Sequence, residues 1–244
     1  MNDIMLKALY REAYNFLARV DDNDLEAKLI CTMTTRAKSL KDLYRRLLNA
    51  LTTKKINEAI GGVDCLCEPF FDFNPVKVQA RYGENYDRLS GKICMNGNVE
   101  IVKPFCDSAL WGAALLSNIG SARTFHAFVE KFLNSQMSFA VLPLLLQEEV
   151  KGLTFPMACE FLSDSGYPDY VKPNSKIKQL LFDIGAIYDR DNYELLKFMK
   201  EVADSNNTSP WTVNQILLLI SSGDPNCNAF PQRIATILKA LPNP

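Results

Sequence analysis

Glycine and proline leave few conformational choices to the stretch 149–181, which runs EVKGLTFPMACEFLSDSGYPDYVKPNSKIKQLL. Residues 150–154 form a short turn with Gly152 inside it. Phe155, Ala158, Cys159 and Leu162 then fall on one stripe at helical spacing. Beyond Gly166, Pro168 and Pro173 demand an extended crossing, because proline fixes its own φ and pushes the preceding residue out of the α region. Asn174 and Ser175 suit the start of another helix, with Ile177, Leu180 and Leu181 on its apolar stripe.

This order of turn, helix, proline-held crossing and polar helix start resembles the helix-hairpin-helix DNA glycosylases. The hairpin of that superfamily reads roughly L-P-G-V-G-x-K-x-A. Val150-Lys151-Gly152-Leu153-Thr154-Phe155-Pro156-Met157-Ala158 sits on it without a gap. The family's catalytic aspartate opens a helix in a V-D-T-H-I type motif. Counting forward without a gap reaches Asn174, in Pro173-Asn174-Ser175-Lys176-Ile177. The resemblance covers roughly residues 105–225, and the chain is similar to a divergent member. Three positions depart from the pattern. The second hairpin glycine is Thr154, the lysine of strand-cleaving members is Pro156, and the aspartate is Asn174.

The resemblance implies a mainly α, glycosylase-like helical fold. It places DNA contacts at Lys151, Gly152, Leu153 and Thr154, with Lys172 beside them, and the catalytic position at Asn174. Its partner would be double-stranded DNA, damaged or intact. With no amine at Pro156, excision would be of the monofunctional base-excision-repair kind. Two alternatives stay open: a DNA glycosylase-like enzyme that removes a damaged base, and a catalytically silent relative that binds nucleic acid or protein. Asp164 and Asp169 are the nearby acids that would have to replace a carboxylate at 174.

The flanking sequence is helical on both sides. Leu6, Leu9, Ala13, Phe16, Leu17 and Val20 predict an amphipathic helix over 2–20. Asp24 caps a second, through Leu25, Leu29, Met33 and Ala37. Ser39 to Asp42 resembles a capping box ahead of a helix that buries Leu40, Leu43, Tyr44, Leu47 and Leu51. Helical spacing resumes at Asp107 or Ser108, again at Ser121, and over 139–147, where Pro143 belongs in the first turn. It continues over 193–202, over 213–220 behind Ser209-Pro210, and over 231–241.

Residues 63–104 differ. Val76, Val78 and Ala80 alternate with Lys77, Gln79 and Arg81, the period of a half-buried strand. Asn96-Gly97 lies between two short apolar runs and predicts a β-hairpin. Phe70, Phe71 and Phe73 suit anchors of this region better than base-stacking residues. The expected organisation is N-terminal helices over 1–60, an irregular or β-hairpin insertion over 61–104, and a helical glycosylase-like domain over 105–244.

Charge and cysteine usage bound the partners. A formal charge of −1 argues mildly against nucleic acid, so clustering decides. Arg36, Lys38, Lys41, Arg45, Arg46, Lys54 and Lys55 crowd one segment, either as a solvated helix face or as a phosphate-facing surface. Seven scattered cysteines fit a reducing, cytoplasmic or nucleoid-associated location better than secretion. Cys65 and Cys67 with a single histidine, His126, do not make a classical zinc site. The iron–sulfur cluster of some glycosylases needs four cysteines near the catalytic helix. Only Cys227 lies there, so no cofactor or metal is expected. No apolar run has the length of a membrane span.

Overall fold

The computed structural model describes residues 2–20, 35–93 and 99–221, together with Phe230, Ile234 and Thr236. Among the described residues there are twelve α-helices, one 3-10 turn and no strand. Two compact units are present, one built from residues 1–33 and 168–244 and the other from residues 34–167. The expected boundaries at 60 and 104 both fall inside the second of these.

The 34–167 unit contains α2 (Leu40–Leu51), α3 (Lys54–Ile60), α4 (Pro75–Tyr82), α5 (Tyr86–Ile93), α6 (Val99–Ile119), α7 (Ala122–Glu130), α8 (Gln136–Glu149) and α9 (Phe155–Asp164). Helix α6 is the axis, and α2, α3, α4, α5 and α7 pack around it. Gly112 lets α2 approach closely, since a Cβ there would stand 2.5 Å from Leu47 Cδ2. Tyr44 of α2 is fully buried and its hydroxyl donates to Ala109 O at 2.9 Å. That bond satisfies the polar end of a large apolar ring. Phe70 packs edge-on between Tyr44 and Phe105.

The strand and β-hairpin expected between 63 and 104 are overturned. Residues 75–82 form α4, because Asn74 caps it through Lys77 N at 3.2 Å and Pro75 occupies its first turn. Val78 and Tyr82, four apart, are buried, while Val76 is 53% exposed. The alternation at 76–81 was therefore a coincidence of composition over less than two helical turns. Ile93 ends α5 and Val99 opens α6; the turn at Asn96-Gly97 lies outside the described residues. Helix α6 starts well before Asp107 and runs through Pro104, whose carbonyl accepts from the Ser108 hydroxyl at 2.9 Å. Pro143 likewise lies inside α8 and not in its first turn, because Ser135 caps that helix earlier. Most of the expected helices over 24–37 and 231–241 fall outside the described residues.

The other unit contains α1 (Asp3–Val20), α10 (Ser175–Asp183), α11 (Asn192–Ser205) and α12 (Pro210–Ser221). Helix α1 packs on α11 and α12, and α10 packs on α12. Leu6, Leu9, Ala13, Phe16 and Leu17 form the buried stripe of α1, and Phe16 meets Phe230 with ring centroids 5.3 Å apart.

Candidate nucleic-acid interface

The turn at 150–154 joins α8 to α9, and these two helices pack together. Val150 N donates to Leu146 O at 3.0 Å and ends α8; Leu153 N donates to Val150 O at 3.0 Å and closes the turn. Val150 and Leu153 are buried, Leu153 to 2% exposure, and pin the turn from below. Gly152 stands at φ +83°, which disfavours any side chain. A Cβ on it would also collide with the Ser108 hydroxyl of α6. The glycine is thus required by backbone conformation and by its seat on α6.

Thr154 is the N-cap residue of α9, but its side chain makes no capping hydrogen bond. Pro156 has no N–H, so the first donors of α9 are those of Phe155 and Met157. Lys151 is 67% exposed and its ammonium lies 2.8 Å from the Asp107 carboxylate on α6. The hydrogen bond to Asp107 raises the lysine above its ordinary pKa and keeps it charged.

Asn174 belongs to the other unit, where it is the N-cap of α10. Its Oδ1 accepts from Lys176 N at 2.8 Å and from Ile177 N at 3.4 Å. The preceding residues 171–174 have no regular structure, as the prolines demand, and Val171 and Ile177 are buried. Lys172 is exposed beside them. Of the two nearby acids, Asp164 ends α9 and its carbonyl accepts from Arg46. Asp169 is partly buried near the start of α12; burial raises its carboxyl above the usual range, and a hydrogen bond from the Trp211 backbone opposes that. Lys151, Gly152, Leu153 and Thr154 therefore share one short turn, whereas Lys172 and Asn174 lie on the second unit.

The basic segment 36–55 carries much of its charge in ion pairs. Arg36 meets Glu130, Arg45 meets Asp64, Arg46 meets Asp42, and Lys54 approaches Glu58. Arg46 also donates to Thr35 O at 2.8 Å, so it straps the segment before α2 in place. His126 holds the same segment, with Nε2 2.8 Å from Ala37 O and Nδ1 2.9 Å from the Tyr167 hydroxyl. Facing a carbonyl, Nε2 carries the proton. These pairings favour the solvated-face alternative for most of the cluster.

A cleft of about 600 Å³ was not foreseen in sequence; Cys65, Glu68, Phe71 and Tyr82 are among its lining residues. Phe71, Asp72 and Phe73 all adopt positive φ there, at 50°, 53° and 60°. Phe70 and Phe73 are buried anchors, as expected, while Phe71 is half-buried on the cleft wall. Nothing in local periodicity announces three consecutive left-handed residues. Cys106 and Cys159 are buried thiols, and burial pushes Cys159 upward in pKa. Among the described residues no three of His, Cys, Asp and Glu gather as a metal site, and no helix is long and apolar enough to cross a membrane.

Comparison with protein-family models, with curated proteins and with solved structures gives no match.

Proposed function

We propose that this protein binds double-stranded DNA on a glycosylase-like helix-hairpin-helix frame and excises bases weakly or not at all. The observation that supports this is the turn at 150–154. A glycine at φ +83° links two packed helices, and the second helix begins without a side-chain cap. A phosphate oxygen suits such donors, because the positive end of the helix dipole adds to their pull. Lys151 adds charge beside the turn, and each phosphate neutralised releases counterions. Contacts of this kind position a duplex without reading its sequence.

Excision is a separate requirement. Breaking the glycosidic bond builds positive charge on the sugar, which a carboxylate stabilises. Asn174 is uncharged, and its oxygen already accepts two backbone N–H groups. Loss of one such electrostatic partner raises a barrier by about 3–4 kcal/mol, by analogy with removal of an oxyanion-hole donor. Pro156 supplies no amine for an imine with the sugar, so any excision leaves the abasic strand intact.

The test is excision on a panel of duplexes carrying damaged bases, comparing wild type with Asn174→Asp. Asp caps a helix as well as Asn, so the variant folds normally. The wild type yields little or no product, and the variant gains activity on at least one duplex. Robust excision by the wild type would overturn the silent part of the proposal and turn attention to Asp169, whose raised pKa suits proton transfer.

A further inference from the structure

Helix α1 carries two stripes. One is the buried row of Leu6, Leu9, Ala13, Phe16 and Leu17. The other is Lys7, Tyr10, Arg11 and Tyr14, at spacings of three and four, which place these residues on one face. That face lines a groove of about 610 Å³, whose opposite wall is the end of α11 and the residues after it, 205–207. Asn206 fixes this wall by donating from Nδ2 to Val202 O at 2.8 Å, and Asn207 turns the chain with φ +50°.

The contents of the groove are neither those of a core nor those of an ordinary solvated helix face. Tyr10 and Tyr14 stack loosely on each other, with planes 24° apart and centroids 6.5 Å apart. Both are half-buried, which fixes their stems while leaving area open to the groove. Arg11 is exposed between them in sequence, and Asn15 and Asn207 bring amide groups to the same groove. Lys7 shares its charge with Asp3 at 2.7 Å, so Arg11 is the cation on which recognition of an anion rests.

Flat aromatic faces at regular spacing, a guanidinium beside them and amides on the rim form a set that suits one ligand class. We propose that this groove binds single-stranded nucleic acid. Bases stack on Tyr10 or Tyr14, a backbone phosphate meets Arg11, and the amides of Asn15 and Asn207 meet base edges or sugar oxygens. Stacking of this kind tolerates any base, because every base has a π-face. Planar Arg rather than Lys as the principal cation fits both the phosphate and the aromatic neighbours. The groove lies wholly within the unit of α1, α10, α11 and α12, so the proposal does not depend on the turn at 150–154.

The experiment is fluorescence anisotropy of a labelled short oligothymidylate with the full chain, from low to moderate salt. Wild type binds at low salt. Arg11→Ala lowers the salt slope by about 0.7, the loss of one single-strand phosphate contact. Tyr14→Leu weakens binding on the order of 10-fold, whereas Tyr14→Phe, which keeps the ring, retains it. Lys54→Ala, which removes a 92% exposed lysine of the 34–167 unit, leaves oligothymidylate binding unchanged, so the loss in Arg11→Ala belongs to this groove. No wild-type binding at low salt would overturn the proposal. So would equal affinity in Tyr14→Leu and Tyr14→Phe, or binding to anionic phospholipid vesicles without binding to the oligonucleotide.

Discussion

The starts of α9 and α10 stand twenty residues apart in one motif, and they treat their backbone donors in opposite ways. At α10 the Asn174 side chain accepts from both Lys176 N and Ile177 N, so this helix closes its own N-terminus. At α9 Thr154 occupies the same kind of position and makes no side-chain cap. A helix that caps itself spends its side-chain oxygen on stability. One that does not leaves N–H groups for solvent or an external anion. The difference teaches that a polar residue at a helix start does not by itself mark a site; the site is marked by what its side chain leaves undone.

Gly152→Ala is the substitution that breaks the comparison hardest. The new Cβ meets the Ser108 hydroxyl, and φ +83° strains any side chain. A loss of at least about 1–3 kcal/mol is expected in urea or thermal unfolding, with duplex binding lost alongside. Asn174→Ala comes next. It removes a cap that satisfies two donors and costs about 1 kcal/mol, while Asn174→Asp costs little. Equal stability of the Ala and Asp variants would mean that residue 174 does not cap α10.

Thr154→Asp sharpens the comparison from the other side. It gives α9 the charged cap that it lacks. Stability rises by about 0.5–1 kcal/mol, and duplex affinity falls because the new carboxylate competes with phosphate for the same donors. A variant that binds duplex more tightly would show that these donors are not used.

Asp169→Asn has the smallest expected effect. Burial raises the Asp169 carboxyl in the folded chain, so the folded state binds its proton more tightly than the unfolded state does. Stability from this group is then present at low pH and declines as pH rises, starting near the unfolded value of about 3.9 and ending above the raised folded value. The Asn variant lacks that decline, and unfolding midpoints measured across the acid range check it.

Much of the motif was legible because glycine and proline act locally. Gly152 had to turn, Pro168 and Pro173 had to break helix, and Asn174 had to cap, and each does. Residues 75–82 were misread because six alternating residues carry no information on which of them is buried; packing against α6 chose Val78 and Tyr82. The early start of α6 was hidden by Pro104, which local rules place at a helix edge and which lies here inside the helix. The packing of α1 on α11 and α12 joins residues nearly two hundred positions apart, and no periodicity encodes that partner. For the same reason the Lys151–Asp107 pair and the seat of Gly152 on Ser108 were invisible before folding brought α6 beneath the turn.

The claim that the turn at 150–154 holds duplex DNA is tested most directly by the salt dependence of binding to a labelled duplex containing an abasic-site analogue, with wild type and Lys151→Ala side by side. The account predicts binding at low salt that weakens linearly on a logarithmic scale as salt rises. It predicts a slope smaller by about one unit in the variant, uniformly across duplex sequences. The Lys151 side chain is exposed, so the Lys151→Ala protein stays folded. No binding by wild type at low salt, or an unchanged slope in a folded Lys151→Ala protein, would contradict it.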